Sequence, residues 1–329
     1  MPRQSRLKQV NSIVKKYVPK TKDIKNVGAE IAKISKLEDM TLNVLLFVDN
    51  HASNEASTVV RNLFMTSVPN VRLQICYFDN NDVNVDRSAD MAVIVGCDTS
   101  SVVDLLYKIR EMAVPCYIVF DGSTSSSVSS FLAEREIAGD YCILNPEEKE
   151  SVAIMKKKIG TWIANVCVGK KFAFAAAFPF VARPLAMEIV HLTAIENTAV
   201  GIVPFLSKAD FPIMLLNQLC MLGQIATVYG KKIDLNLLKE AAGVLVAAVF
   251  GKKVFKITNK IIPLPAFVIS GVVALGTTEV IGRALVSYFE AGGDIDGVVE
   301  LLKRTLEGSK VASDAVKPIA SKIAATVRA

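Results

Sequence analysis

The stretch LNVLLFVDNHASNEASTVVRNLF, residues 42–64, decides the fold of the first half of the chain. Its first eight residues are almost all apolar and end in Asp49, which is typical of a strand buried on both faces of a sheet. A short polar loop follows, and the residues from Asn54 onward have the apolar spacing of a helix, with Asn54 as the expected cap. In nucleotide-binding α/β proteins this unit carries a glycine-rich phosphate loop, yet here the loop has neither glycine nor lysine.

The alternation of apolar strands and amphipathic helices continues to residue 168. Further strands are predicted at 71–79, 89–98, 115–121 and 140–145. Helices are predicted at 54–67, 100–113, 125–136 and 146–167. Strands that alternate with helices favour a parallel sheet covered on both faces. We therefore predict a five-stranded, mostly parallel, Rossmann-like or GTPase-like α/β domain over residues 41–168.

The composition changes after residue 168, where long uncharged stretches rich in small apolar residues begin. Glycine and proline punctuate these stretches and strand-like alternation is scarce, so we predict a hydrophobic all-helical domain over 169–293. A C-terminal helix and tail at 294–329 would follow. Two uncharged runs, 211–230 and 261–278, are about as long as a membrane span. An integral membrane protein with helical hairpins is therefore an alternative to a packed bundle.

Polar side chains inside the predicted helical domain indicate contacts between and along helices. Asn217 and Gln218 lie in the middle of an apolar helix, which favours a buried hydrogen-bond network between helices. Glu279 and Arg283 are four residues apart on one helix, a spacing that predicts an ion pair. His191 is expected to be an ordinary core or surface residue. No nucleophile and base can be paired from the sequence, and no catalytic residue is predicted.

Basic residues are concentrated at the N-terminus. Residues 1–36 hold 10 Lys/Arg against 2 Asp/Glu, while the remainder holds 28 against 30, within a formal net charge of +6. Apolar residues recur there at intervals of three and four, which predicts a basic amphipathic arm over residues 1–40. A second basic run between two apolar segments comprises Lys252, Lys253, Lys256 and Lys260.

Both basic segments fit an anionic membrane surface, a protein partner or a second copy of the chain. The alternative for each is a solvated helix face. Nucleic acid is not expected, because no aromatic residues are interleaved with the bases. The six cysteines are scattered, the sequence has two histidines and no CxxC pair, and no signal peptide is recognised. We therefore expect no zinc site and a cytoplasmic protein, with association at the inner face of the cell membrane as a further expectation.

Acidic residues end four of the predicted strands: Asp49, Asp79, Asp98 and Asp121. Ligands of parallel sheets lie beyond the carboxyl ends of the strands, so this acidic rim is a candidate Mg²⁺ or nucleotide site. A Mg²⁺-dependent switch or enzyme that uses the rim is one alternative function. The same residue types are ordinary in turns and helix caps, which is the favoured interpretation. We expect neither a bound metal nor a cofactor.

The segments LNVLLFVDNHASNEASTVVRNLF, VRLQICYFDNN, ADMAVIVGCD and PCYIVFDGS follow one another in an order that resembles a Ras-like GTPase domain. The resemblance places the degenerate phosphate loop at Asp49 and at Asn54-Glu55-Ala56, where Gly-Lys-Ser would stand. It implies a pseudo-GTPase, because Glu55 repels a triphosphate and Ala56 cannot hold Mg²⁺. An independent flavodoxin-like domain that never bound nucleotide is the alternative.

A set of motifs in the second half is spread over about 120 residues. It comprises Arg183-Pro184, Glu196-Asn197, Pro204, Ala209-Asp210-Phe211-Pro212, Asn217-Gln218, Met221, Ile225-Ala226, Tyr229-Gly230, Gly276-Thr277, Gly282-Arg283 and Tyr288-Phe289-Glu290. The pattern resembles the YcjF-like bacterial helical domain, which often follows a GTPase domain or occurs in inner-membrane proteins. The family has no assigned activity. The two resemblances together imply a bacterial non-catalytic scaffold whose helical domain contacts a membrane or a partner protein.

Overall fold

The computed structural model describes residues 19–79, 83–123, 128–134, 140–202, 210–250 and 266–307. The chain divides into two compact units, one formed by residues 36–185 and one by residues 1–35 together with 186–329. The first unit contains the strands and the second is built from helices in the described ranges. The boundaries expected at residues 40, 168 and 293 stay predictions.

Five strands form one sheet in the first unit. They are β1 (Leu42–Asp49), β2 (Val71–Phe78), β3 (Met91–Gly96), β4 (Cys116–Asp121) and β5 (Tyr141–Leu144). Their order is β2-β1-β3-β4-β5 and every neighbouring pair is parallel. This is the order of flavodoxin-like doubly wound sheets, in which the winding reverses between β1 and β3. The predicted five-stranded parallel sheet is confirmed.

The helices bracket the strands and then continue through the second unit. In chain order they are α1 (Thr21–Ser35), α2 (Asn54–Phe64), α3 (Ser100–Glu111), α4 (Val128–Glu134), α5 (Lys149–Val166), α6 (Lys171–Ala177), α7 (Pro179–Ile202), α8 (Asp210–Val228), α9 (Leu235–Phe250), α10 (Ala266–Glu290) and α11 (Val298–Glu307). Helices α2 to α6 belong to residues 36–185, and the division between the units falls inside α7.

The central strands of the sheet are apolar because both of their faces are covered. Every residue of β3 and β4 is buried, as is all of β1 except Asn43. On one face Phe47, Ile94 and Phe120 pack with residues of α3, including Leu106, in a continuous core. Burial of this kind contributes roughly 1.5–3 kcal/mol for each large apolar side chain. The outer strand β2 instead consists of partly buried and exposed residues, with Phe78 buried at its end.

Helix α1 is a packed element of the second unit. Its Ile24 and Ile31 are buried, and a Cβ added at Gly223 of α8 would collide with the Ile31 side chain. A Cβ added at Gly28 would lie 3.6 Å from Leu238 of α9, an ordinary van der Waals contact, so α1 also lies close to α9. The expected basic arm therefore includes a helix that packs through its apolar face, while residues 1–18 lie outside the described residues.

Of the two uncharged runs considered as spans, the first coincides largely with α8, and residues 266–278 of the second lie in α10. Within the described ranges, every helix falls short of the length or the apolar composition needed to cross a bilayer.

Candidate functional site

The loop of residues 50–53, here called the β1–α2 loop, ends in a serine that caps α2. Ser53 is extended at φ −62° and ψ 151°, and its hydroxyl accepts a hydrogen bond from the Ala56 N–H. Its carbonyl accepts from the Ser57 hydroxyl at 2.8 Å. The sequence predicted Asn54 as the cap, which is one residue too late, because Asn54 is already the first helical residue.

Asp49 is buried and joins this loop to the end of β3. Its Oδ1 accepts the His51 N–H at 2.9 Å and lies 2.9 Å from His51 Nδ1. Its Oδ2 accepts from the Cys97 N–H at 3.3 Å and the Thr99 hydroxyl at 3.4 Å. Gly96 makes this approach possible, since an added Cβ there would lie 2.6 Å from Val102 and 3.3 Å from the Asp49 carboxylate. Both carboxylate oxygens of Asp49 are therefore engaged within the protein.

Asp121, at the end of β4, is fully buried and binds the same loop from the other side. Its Oδ2 accepts the Ser53 N–H at 2.7 Å. Its Oδ1 accepts the Ser123 N–H at 2.9 Å and the Ser123 hydroxyl at 2.6 Å. Burial raises the pKa of Asp121, but the hydrogen bonds from Ser123 and Ser53 outweigh it and hold the pKa below its ordinary value. An ionised carboxylate therefore lies at the N-terminus of α2, where the helix dipole favours negative charge.

All backbone N–H groups of the β1–α2 loop donate to acceptors of the protein itself. In chain order, Asn50 donates to the Phe78 carbonyl at 3.0 Å, His51 to the Asp49 carboxylate, Ala52 to the Asp49 carbonyl at 3.0 Å and Ser53 to the Asp121 carboxylate. A phosphate loop works by directing such groups at the phosphate oxygens. Here they are already bonded within the fold.

His51 is the most exposed polar side chain that contacts Asp49, with 60% of its side chain accessible. Its Nδ1 also lies 3.8 Å from the Asp79 carboxylate. The hydrogen bond that His51 makes to the Asp49 carboxylate raises the pKa of His51, the charges of Asp49 and then Asp79 act in the same direction, and burial opposes them. Sequence reasoning missed this pair. The signal was an Asp followed two residues later by a His at the end of a buried strand.

The four residues of the acidic rim are in different surroundings. Asp49 and Asp121 are buried and meet the same loop, the side chain of Asp79 is 61% exposed, and Asp98 is half-buried. Of the residues of the degenerate phosphate loop, Glu55 is exposed in the first turn of α2, whereas Ala56 is fully buried. Across the described ranges, no group of three or more His, Cys, Asp or Glu residues could hold a metal ion.

The predicted polar contacts of the helical unit are confirmed. Asn197 and Thr278 are fully buried and bond at 3.0 Å. Asn217 donates to the Asn197 carbonyl oxygen at 3.0 Å, and Gln218 donates to the Thr278 hydroxyl at 3.3 Å. This network joins α7, α8 and α10 and fixes how their apolar faces meet.

Glu279 of α10 bonds a side chain of its own helix and one of α7. Glu279 bonds Arg283 at 2.8 Å and His191 Nδ1 at 2.5 Å, so the predicted pair of Glu279 and Arg283 is confirmed. The surface proposed at Lys252, Lys253, Lys256 and Lys260 lies outside the described residues.

No protein-family model matches the chain, and no curated protein matches it. The likeness to Ras-like GTPases and to the YcjF-like domain therefore depends on the motifs quoted above.

Proposed function

We propose that this chain is a non-catalytic scaffold, in which an α/β domain of pseudo-GTPase type is joined to a YcjF-like helical domain that contacts a membrane or a partner protein. One observation carries the proposal: the backbone N–H groups of the β1–α2 loop, residues 50–53, are bonded inside the protein, and the Asp121 carboxylate accepts the Ser53 N–H at the start of α2. The carboxylate thus occupies the position of an anion that the site would otherwise bind.

Electrostatics support this proposal. A phosphate oxygen that accepted the Ser53 N–H would come within a few ångströms of the Asp121 carboxylate. Two like unit charges 4 Å apart repel by about 4 kcal/mol at an effective dielectric constant of 20, which corresponds to roughly a thousandfold loss of affinity. Glu55, on the first turn of α2, adds a further negative charge.

The Mg²⁺-dependent alternative is less well supported. A divalent ion needs carboxylate oxygens that are free to coordinate it. The oxygens of Asp49 and Asp121 already accept hydrogen bonds from three loops, and a metal would have to displace those donors.

The expected contact with anionic lipid is supported by charge. Lys20, Lys22 and Lys25 are exposed at the N-terminal end of α1, and residues 1–36 have a net charge of +8, from 10 Lys/Arg against 2 Asp/Glu. Positive charges at this end of a helix interact unfavourably with its dipole, so they do not stabilise α1. A role in binding an anionic surface at the inner face of the membrane accounts for them.

Nucleotide binding tests the first half of the proposal. A fluorescent GTP analogue with Mg²⁺, titrated to roughly 100 µM of the full chain, should give no saturable signal. Saturable binding by the wild-type chain would overturn the proposal.

Vesicle flotation tests the second half. The full chain should float with anionic vesicles at low salt and be released at about 1 M salt, where the Debye length is about 3 Å. The control is a chain that lacks residues 1–18, which leaves the packed helix α1 complete. Flotation that is equal with neutral and anionic vesicles, or absent from both, would contradict lipid binding by charge.

A further inference from the structure

The strand β2 is an outer strand of the sheet with a long and regular free edge. In the described sheet its hydrogen-bonded neighbour is β1 alone, and the pairing is unbroken from Leu42↔Val71 to Asp49↔Phe78. The opposite outer strand, β5, has four residues, whereas β2 has eight. Natural sheets usually protect such an edge with proline, a bulge or several charges, because it offers unpaired backbone groups to another strand. The edge of β2 has no proline and no bulge, and its one charged residue is Arg72.

The backbone hydrogen bonds show which residues of β2 face outward. The Asn70 carbonyl accepts from the Leu42 N–H at 2.9 Å, and the Phe78 carbonyl accepts from the Asn50 N–H at 3.0 Å. Because backbone groups alternate in direction along a strand, the even-numbered residues of β2 face β1. The N–H and C=O groups of Val71, Leu73, Ile75 and Tyr77 therefore point to the free edge.

The side chains of these outward-facing residues are apolar and lie on one face of the sheet. Ile75 is 39% exposed and Tyr77 is 55% exposed, while Val71 and Leu73 are half-buried. A strand that paired with this edge would therefore satisfy backbone groups and cover apolar side chains at the same time.

We propose that two copies of this chain pair through β2, antiparallel, about a twofold axis at Ile75. Directly opposite residues of an antiparallel pair share a face, so Ile75 would meet Ile75 of the second copy and Leu73 would meet its Tyr77. The backbone N–H and C=O groups of Leu73, Ile75 and Tyr77 point to the free edge. These three residues would therefore exchange backbone hydrogen bonds with the second copy. The result is an isologous interface and a sheet that continues through both copies.

Charge argues for a second copy as the occupant of this edge. Arg72 lies near the beginning of β2 and Asp79 directly follows its end, and both are exposed. An antiparallel copy places Phe78 opposite Arg72 and brings the Arg72 end of each strand beside the Asp79 end of the other, so unlike rather than like charges lie near each other at both ends. The interface goes beyond the proposed function, since it requires neither nucleotide nor membrane.

The mass in solution gives the first test. Light scattering should give twice the 35.6 kDa mass of the chain, and Ile75→Lys should raise the dissociation constant more than tenfold by placing two ammonium groups face to face. Ile143→Lys on β5 is the matched control, since Ile143 is 43% exposed, and it should leave the dimer intact. A wild-type chain that is monomeric at roughly 100 µM, or equal dissociation by both variants, would overturn the proposal.

Disulfide trapping gives a second test that does not depend on stability. In the proposed register Gln74 lies opposite Cys76 of the second copy, in a non-hydrogen-bonded pair with Cα atoms about 4.5 Å apart, within disulfide range. Gln74→Cys should therefore form a covalent dimer under mild oxidation, and adding Cys76→Ser should abolish it. Failure to trap the dimer, or trapping that persists with Cys76→Ser, would refute this register.

Discussion

The contact of Asp121 with the β1–α2 loop leads to a prediction of stability. In Asp121→Asn the side-chain oxygen can still accept a hydrogen bond from Ser123. The NH₂ group of the amide would then face the Ser53 N–H, so that two donors oppose each other and neither finds an acceptor. One charge-assisted hydrogen bond of 2.7 Å is lost and a buried N–H is left unsatisfied. The first loss is worth about 1.5–3 kcal/mol and the second about 1–3 kcal/mol. Allowing for relaxation of the loop, we expect the free energy of unfolding of the α/β unit to fall by about 2–4 kcal/mol.

The assay uses the single tryptophan of the sequence. Trp162 is buried in the same unit and packs against Tyr117 with ring centroids 5.3 Å apart, so its fluorescence in a denaturant titration reports the unfolding of this unit. Asp79→Asn is the matched control, because the Asp79 side chain is 61% exposed, and it should change stability by less than about 0.5 kcal/mol. If Asp121→Asn is as stable as the control, the carboxylate does not hold the loop and the reasoning fails.

The pH dependence of this effect has a definite sign. The folded-state pKa of Asp121 is held below its ordinary value. Its stabilising contribution is therefore fully present above the pKa of the unfolded chain and is lost as the pH falls through the folded-state value. The difference in stability between the wild type and Asp121→Asn should accordingly shrink in acid.

Other substitutions test the remaining contacts. The pKa of His51, measured by NMR titration, should lie above 6.5, and Asp49→Asn should lower it; no change would contradict the pairing. Because this pKa is raised in the folded state, the contribution of His51 to stability is present below the unfolded value and is lost as the pH rises through the folded value. Gly96→Ala should destabilise the unit by about 1–3 kcal/mol through its collision with a valine, whereas Gly169→Ala, with open space around it, should be neutral. Asn197→Ala should lower the melting temperature seen by circular dichroism, because it removes the hydrogen bonds that Asn197 makes with Thr278 and Asn217, each worth about 0.5–1.5 kcal/mol; an unchanged melting temperature would exclude this role.

The strands could be predicted from the sequence because strands buried on both faces are continuous apolar runs. Each predicted range contains the observed strand, and β1 matches at both ends. The order of the strands could not be obtained in this way, since the apolar pattern of β2 does not reveal that it is an outer strand. That position follows from which strands pair, a property of the whole sheet rather than of any local pattern.

The details of the candidate site depended on contacts between residues far apart in the sequence. Ser53 and Asn54 are comparable cap residues by type. The helix begins after Ser53, whose N–H is bound by Asp121 from 68 residues away. The sequence predicted that Asp121 ends a strand. Its contact with the β1–α2 loop depends on the ends of β1 and β4 lying at the same edge of the sheet, which only the structure shows.

The separation of Ser53 and Asp121 along the chain also has a consequence for folding kinetics. Closing a loop of 68 residues costs about 4 kcal/mol of chain entropy. A single hydrogen bond cannot offset that cost, so the contact forms only after β1, β3 and β4 have aligned. Contacts that form late affect mainly the unfolding rate. Loss of the Asp121 carboxylate should therefore shorten the lifetime of the folded α/β unit while leaving its folding rate nearly unchanged.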